Sequence, residues 1–111
     1  MKRNFRLTQR KDFTKVRSEG QTQKNEFAVL VYTKNELRIS RAAVVASKKI
    51  GNAVLRNRVK RKMRACLNTM WDEISPGWDL VFYARGSVSK ANCKELCKAL
   101  KDLLKSANLI L

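Results

Sequence analysis

Residues 48–64 read Lys48-Lys49-Ile50-Gly51-Asn52-Ala53-Val54-Leu55-Arg56-Asn57-Arg58-Val59-Lys60-Arg61-Lys62-Met63-Arg64. Eight of these 17 residues are Lys or Arg, and none is acidic. A block of this kind can neutralise a row of phosphates. Its apolar residues recur at helical spacing, which separates it from a loose basic tail. At about 100° per residue, Leu55, Val59, Met63, Cys66 and Met70 form one stripe, and Asn57, Lys60, Arg61, Arg64 and Asn68 cluster opposite. Arg58 lies toward one border. Arg56 and Lys62 sit near the apolar border, where their stems can lie along a sheet with the heads in solvent. Asn57 brings a neutral amide among cations, able to donate to a phosphate or read a base edge. The helix N-terminus adds a dipole that favours anions, beside Lys48 and Lys49.

The bland alternative is a solvated surface helix. Such helices interleave both signs, because opposite charges four apart stabilise and like charges do the reverse. Between Glu36 and Asp72 there are ten Lys or Arg and no acidic residue, so a polyanion is the better reading. Phe13, Tyr32 and Phe5 lie on segments that could flank one sheet face, where aromatic rings near cations stack unpaired bases. For Phe13, ordinary core packing is an equal alternative; Tyr32, with its polar tip, is the better contact candidate.

Catalysis by the chain itself is not expected. There is no histidine, which removes Ser-His-Asp, Cys-His and two-histidine ribonuclease chemistry. The nine carboxylates are scattered along the chain, with no cluster of the kind that clamps two metal ions. Lys49-Ile50-Gly51-Asn52 does not match a nucleotide-binding glycine loop.

The elements around the basic helix follow from pattern. Thr8 can cap a first helix in which Phe13 and Val16 share a face, and Gly20 stops it. Phe27 to Thr33 is a strand, apolar on both faces. Leu37 to Ser47 reads as a second strand. Asn52 caps the basic helix, Ala53 to Met70. Pro76-Gly77 marks a turn. Leu80 to Ala84 is a third strand, and Ser89 or Asn92 caps a last helix with Leu96, Leu100, Leu103 and Leu104 on its core face.

One domain is expected from 111 residues, 44% of them hydrophobic. The net charge is +16, from 25 basic and 9 acidic residues. That imbalance points first to nucleic acid and second to an anionic membrane. No apolar run approaches a membrane span, and the basic N-terminus lacks the apolar stretch of a signal peptide. The odd, low cysteine count (Cys66, Cys93 and Cys97) argues against a disulfide scaffold and fits a reducing cytoplasm. Small buried side chains are the expectation for all three, not a metal site.

The stretch Ser47 to Arg64, centred on Arg56-Asn57-Arg58 and followed by Lys60-Arg61, closely resembles the signature of the bacterial ribonuclease P protein subunit. The resemblance extends over nearly the whole chain. Leu7, Asp12-Phe13, Val16 and Gly20 look like that family's first helix, Val29 to Thr33 like its aromatic-ended strand, and Asp79 to Arg85 like its last strand. The resemblance implies an α+β fold in one RNA-binding domain, residues 1–111, with residues 1–7 as a basic N-terminal arm. The implied order is helix, three strands, helix, strand, helix. The sheet would be mixed and four-stranded, with an extra short strand near Gln21 to Gln23. The basic helix would make a left-handed β-α-β crossover, against the usual right-handed preference.

The resemblance also implies a function. The family partners a large catalytic RNA, one to one, and the complex removes the 5′ leader of precursor tRNA. Magnesium would be required by the ribonucleoprotein and held mainly by RNA, the protein itself binding no cofactor. The implied RNA-facing residues are Lys48, Lys49, Asn52, Arg56, Asn57, Arg58, Lys60, Arg61 and Arg64. The implied leader cleft takes in Phe13, Val16 and Tyr32, with Lys60 near its edge. Three positions depart from the family pattern: Arg17 stands where an aromatic is common, Ala43 where a glycine is, and Val45 where a hydroxyl is frequent. A cytoplasmic location is expected, with no membrane or DNA partner. The main rival is a ribosomal or other structural RNA-binding protein. A DNA-binding module is a weaker one, since no dimerisation heptad or second recognition helix accompanies the basic helix.

Overall fold

The alternation of side chains along three strands divides the molecule into two apolar layers on either side of one sheet. The structure is a computed structural model and describes residues 5–110. The first four residues of the expected basic arm lie outside the described residues. The elements are α1 (Arg10–Glu19), β1 (Gln21–Lys24), β2 (Ala28–Lys34), β3 (Arg41–Val45), α2 (Ala53–Met70), β4 (Trp78–Ala84) and α3 (Cys93–Ser106). Short 3-10 turns follow α2 and β4. The sheet order is β1-β2-β4-β3. β2 pairs antiparallel with β1 on one side and with β4 on the other, and β3 pairs parallel with β4. α2 is therefore the crossover between two parallel strands, and the expected α+β order and mixed four-stranded sheet are what the chain adopts.

On one face, Ala28, Leu30 and Tyr32 of β2, Ala42 and Val44 of β3, and Leu80 and Phe82 of β4 pack with α2 and α3. On the other, Val31, Ala43, Val45, Val81 and Tyr83 pack with Leu7, Phe13 and Val16. This double coverage is why β2 reads as apolar on both faces. β1 is a polar edge strand, mostly exposed. The part of the N-terminal arm that is described is not free. Arg6 bridges Ala42 in parallel, Leu7 N–H donates to the Ala42 carbonyl at 2.9 Å, and Leu7 is buried.

Local signals placed two helix starts. Asn52 accepts from Leu55 N–H at 2.9 Å, and Asn92 accepts from Glu95 N–H at 2.8 Å, each satisfying an otherwise unpaired donor of the first turn. Thr8 does not cap α1: the position before the helix is Gln9, with no side-chain capping bond. Gly20 ends α1 by close approach. A Cβ there would overlap the Val16 carbonyl oxygen and lie 2.8 Å from Val31 Cγ1.

The second strand is shorter than the expected Leu37 to Ser47. Asn35 accepts from Leu37 N–H at 2.8 Å and donates to the Ile39 carbonyl at 3.2 Å. This side-chain-held turn competes with the strand ladder and leaves Leu37 47% exposed. At the other end, Ile50 N–H donates to the Ser47 carbonyl at 3.0 Å, and Gly51, at φ +148°, turns the chain into α2.

The cysteines also differ from expectation. Cys66 of α2 and Cys97 of α3 form a disulfide, and Cys93 is a free, exposed thiol. An odd count had masked a pair that only helix-on-helix packing brings together. Closing a loop with a sequence separation of 31 should stabilise the fold by about 3–4 kcal/mol on the chain-entropy model. Urea unfolding of the oxidised protein and of Cys97→Ser should differ by that amount, and coincident curves would show that the bridge contributes nothing.

Candidate nucleic-acid interface

The sequence of α2 dictates which of its faces is available. Val59, Met63, Cys66, Leu67 and Met70 are buried, so the opposite stripe must face solvent. Lys48, Lys49, Asn52, Asn57, Arg58 and Arg61 are exposed, and Arg56, Lys60 and Arg64 are half-buried. Leu67 joins the buried stripe, and Leu55 is half-buried at its margin. Among the described residues the ion pairs are Arg41 with Asp12 and Asp79, and Lys101 with Glu73. None of them uses a cation of the 48–64 block. That block is thus a cationic surface whose charges are not already spent within the chain.

Two border residues behave differently. Lys62 Nζ donates to the Ala91 carbonyl at 2.7 Å, so its head is a tie to the turn before α3, not a solvent group. Arg56 keeps its Nε buried without a hydrogen-bond partner, which leaves a donor aimed at nothing in the chain.

The second feature is a cleft of about 550 Å³ between α1 and the sheet, lined by Thr8, Arg10, Phe13, Thr14, Arg17, Val45 and Tyr83. Thr8 and Phe13 also line a neighbouring hollow of about 290 Å³ that reaches Arg6, Ala43 and Arg64. The shared walls make one groove, running from Tyr83 past Phe13 to Arg64 on α2. Two aromatic rings and several guanidinium groups in a shallow groove form a stacking platform for unpaired bases with cations for the backbone.

Of the three expected cleft residues, Phe13 alone lines it. Val16 is fully buried beneath α1. Tyr32 is 4% exposed on the opposite face of the sheet. There its hydroxyl donates to Gln21 Oε1 at 3.1 Å and its ring lies 5.9 Å from that of Trp78. The β2 side chain on the α1 side is Val31, so the expectation is off by one residue, and in a strand that flips the face. Phe5 stacks on Trp71 with ring centroids 5.5 Å apart, outside the cleft. The groove meets α2 at Arg64, not Lys60.

Sequence reasoning missed Tyr83. It pairs across the sheet with Val29 and Val45, and the alternation of β4 places it with Val81. The signal was present in that alternation, but which face α1 covers was not.

No acid–base pair is available in the groove. The nearby carboxylates Asp12 and Asp79 are both engaged by Arg41. No group of three His, Cys, Asp or Glu that could hold a metal ion occurs among the described residues. Nor is any described helix long and apolar enough to cross a membrane.

Comparison with known proteins agrees with this layout. The family model described as Ribonuclease P matches residues 1–108. The chain is 38% identical over 110 residues to the ribonuclease P protein component of Dehalococcoides mccartyi, covering 99% of this chain and 90% of that protein. It is 39% identical over 110 residues to that of Clostridium botulinum, covering 98% of each. The fold superposes on the solved RNase P protein of Staphylococcus aureus with a TM-score of 0.87 at 28% identity, covering 96% of this chain and 98% of that one. For the Thermotoga maritima protein the TM-score is 0.83 at 31% identity, covering 91% and 96%. With sequence, fold and motif in agreement over nearly all of its length, the chain belongs to the ribonuclease P protein family.

Proposed function

We propose that this chain is the protein subunit of a ribonuclease P, an endoribonuclease that matures tRNA 5′ ends, and that the chemistry resides on its RNA. The outer face of α2, with Lys48, Lys49 and Asn52, binds the catalytic RNA. The groove at Phe13 and Tyr83 holds the single-stranded 5′ leader of precursor tRNA. The observation that carries this reading is the continuity of that groove with the unpaired cations of α2 at Arg64. It would let one protein touch the catalytic RNA and the substrate leader together. Stacking rings and guanidinium groups suit a flexible single strand. Magnesium ions held mainly by the RNA would supply the activated water and charge neutralisation. The protein's cations lower phosphate repulsion between the two RNAs. The complex is expected to be one to one and cytoplasmic.

A reconstituted cleavage assay tests this against the rival of a structural RNA-binding protein. The protein alone should leave precursor tRNA intact. Added to a ribonuclease P RNA, it should lower the magnesium concentration needed for leader removal. Cleavage by RNA-free protein, or an unchanged magnesium requirement, would refute the reading.

A further inference from the structure

α1 is a thinly anchored wall. It has ten residues, of which Val16 alone is fully buried, and no side-chain cap at its start. Its C-terminal end is fixed by the close approach of Gly20 to Val31 and to the Tyr32 carbonyl oxygen. At its N-terminal end, a guanidinium group reaches across from the sheet: Arg41 Nη1 meets Asp12 Oδ2 at 3.3 Å.

That guanidinium is not free to follow the helix. Arg41 Nε and Nη2 donate to the two carboxylate oxygens of Asp79 at 3.0 and 2.8 Å. Asp79 is 1% exposed, and its Oδ1 also accepts from Asn35 Nδ2 at 2.9 Å. A planar fork gripped on one edge has its remaining nitrogen aimed in a fixed direction. Asp79 also holds the Arg41 pKa above its ordinary value, chiefly through these hydrogen bonds. Asp12 is adjacent in sequence to Phe13, the aromatic residue on the α1 side of the groove. Arg41 and Asp79 sit two residues along β3 and β4 from Ala43 and Val81, which floor the same face.

We propose that Asp12 is a positioning residue: its ion pair with the Arg41–Asp79 fork sets how far α1 stands from the sheet, and so sets the grip of the groove on a single-stranded RNA leader. This rests on the groove being the leader site. The pair is partly exposed, with side chains 21% and 17% accessible, and such pairs add little to global stability. Its effect is on the placement of Phe13 against Tyr83.

The test uses the ribonucleoprotein reconstituted with a ribonuclease P RNA that the wild-type protein activates. Its readouts are affinity for precursor tRNA carrying a 5′ leader, affinity for mature tRNA, and affinity of protein for RNA. Asp12→Asn removes the charge and leaves Arg41–Asp79 intact. It should reduce precursor affinity about threefold to tenfold, a fraction of one stacking interaction, with mature tRNA binding and assembly unchanged. Asp12→Glu should restore most of the loss. Arg41→Lys, which keeps a cation beside Asp79 but lacks the fork, should repeat the Asp12→Asn pattern and serves if that variant folds poorly. Phe13→Ala reports on the groove itself. If Phe13→Ala weakens precursor binding selectively and Asp12→Asn and Arg41→Lys do not, the positioning role is wrong and the leader groove stands. If none of the three affects leader preference, the groove reading fails and the proposal with it. Parallel losses of precursor, mature tRNA and RNA affinity in Asp12→Asn would mark a merely structural contact and also overturn the proposal.

Discussion

Arg41→Ala is expected to lower the unfolding free energy by about 3–5 kcal/mol, the usual consequence of removing one partner from a buried ion pair. The reason is what remains behind. Asp79 sits near the start of β4, 1% exposed, and Arg41 supplies two of its three hydrogen bonds. Without the guanidinium, a buried carboxylate is left with only the Asn35 amide as a partner. For a domain whose total stability is of order 5–15 kcal/mol, that loss brings the protein near its unfolding threshold. Urea midpoints of the wild type, Arg41→Ala, Asp79→Ala and the double variant form a cycle. The double variant should be less damaged than the sum of the singles, because it leaves no unpaired buried charge. A loss below about 1 kcal/mol for Arg41→Ala, the range of exposed pairs, would show that water reaches Asp79 and that the fork is not a buried element.

That pair marks where sequence reading runs out. Arg41 and Asp79 are 38 residues apart, and nothing in either neighbourhood announces the other. The Cys66–Cys97 bridge is of the same kind, set by how α2 lies on α3. Features with a short range were legible. Asn52 and Asn92 cap their helices because a cap bonds a donor three residues on. The two faces of α2 follow from helical period alone. The strand at Gln21–Lys24 has no apolar alternation to reveal it, and it was expected only through family resemblance. The second strand is shorter than its pattern implies because the Asn35 turn is a side-chain device that β-propensity does not see. Tyr32 was misplaced for a geometric reason. A strand with apolar residues on both faces carries no internal mark of which face is which, and a slip of one position exchanges them.

Tyr32→Ala and Tyr83→Ala should consequently fail in opposite ways. Tyr32 is buried in the layer shared with α2 and α3, against Trp78. Truncating it opens a cavity in that layer, so stability should fall by about 3–5 kcal/mol, the range for large aromatic deletions. All RNA affinities would then decline together as the folded fraction falls. Tyr83 is half-buried on the groove floor beside Val45 and Arg17. Its loss removes a stacking surface worth about 1–3 kcal/mol per base, which is roughly fivefold to more than a hundredfold in precursor tRNA affinity. Mature tRNA, which has no leader, should bind the Tyr83→Ala complex as it binds the wild type. Arg61→Ala supplies the contrast on the other surface: it should weaken assembly with the catalytic RNA whatever the substrate. Circular dichroism and urea unfolding establish which variants are folded, and titrations with labelled precursor and mature tRNA then separate the three. A stable Tyr32→Ala with a leader-selective defect would return Tyr32 to the groove and contradict the sheet register. A folded Tyr83→Ala that loses precursor and mature tRNA affinity equally would remove Tyr83 from the leader path and leave the cations around Phe13 as its only remaining support.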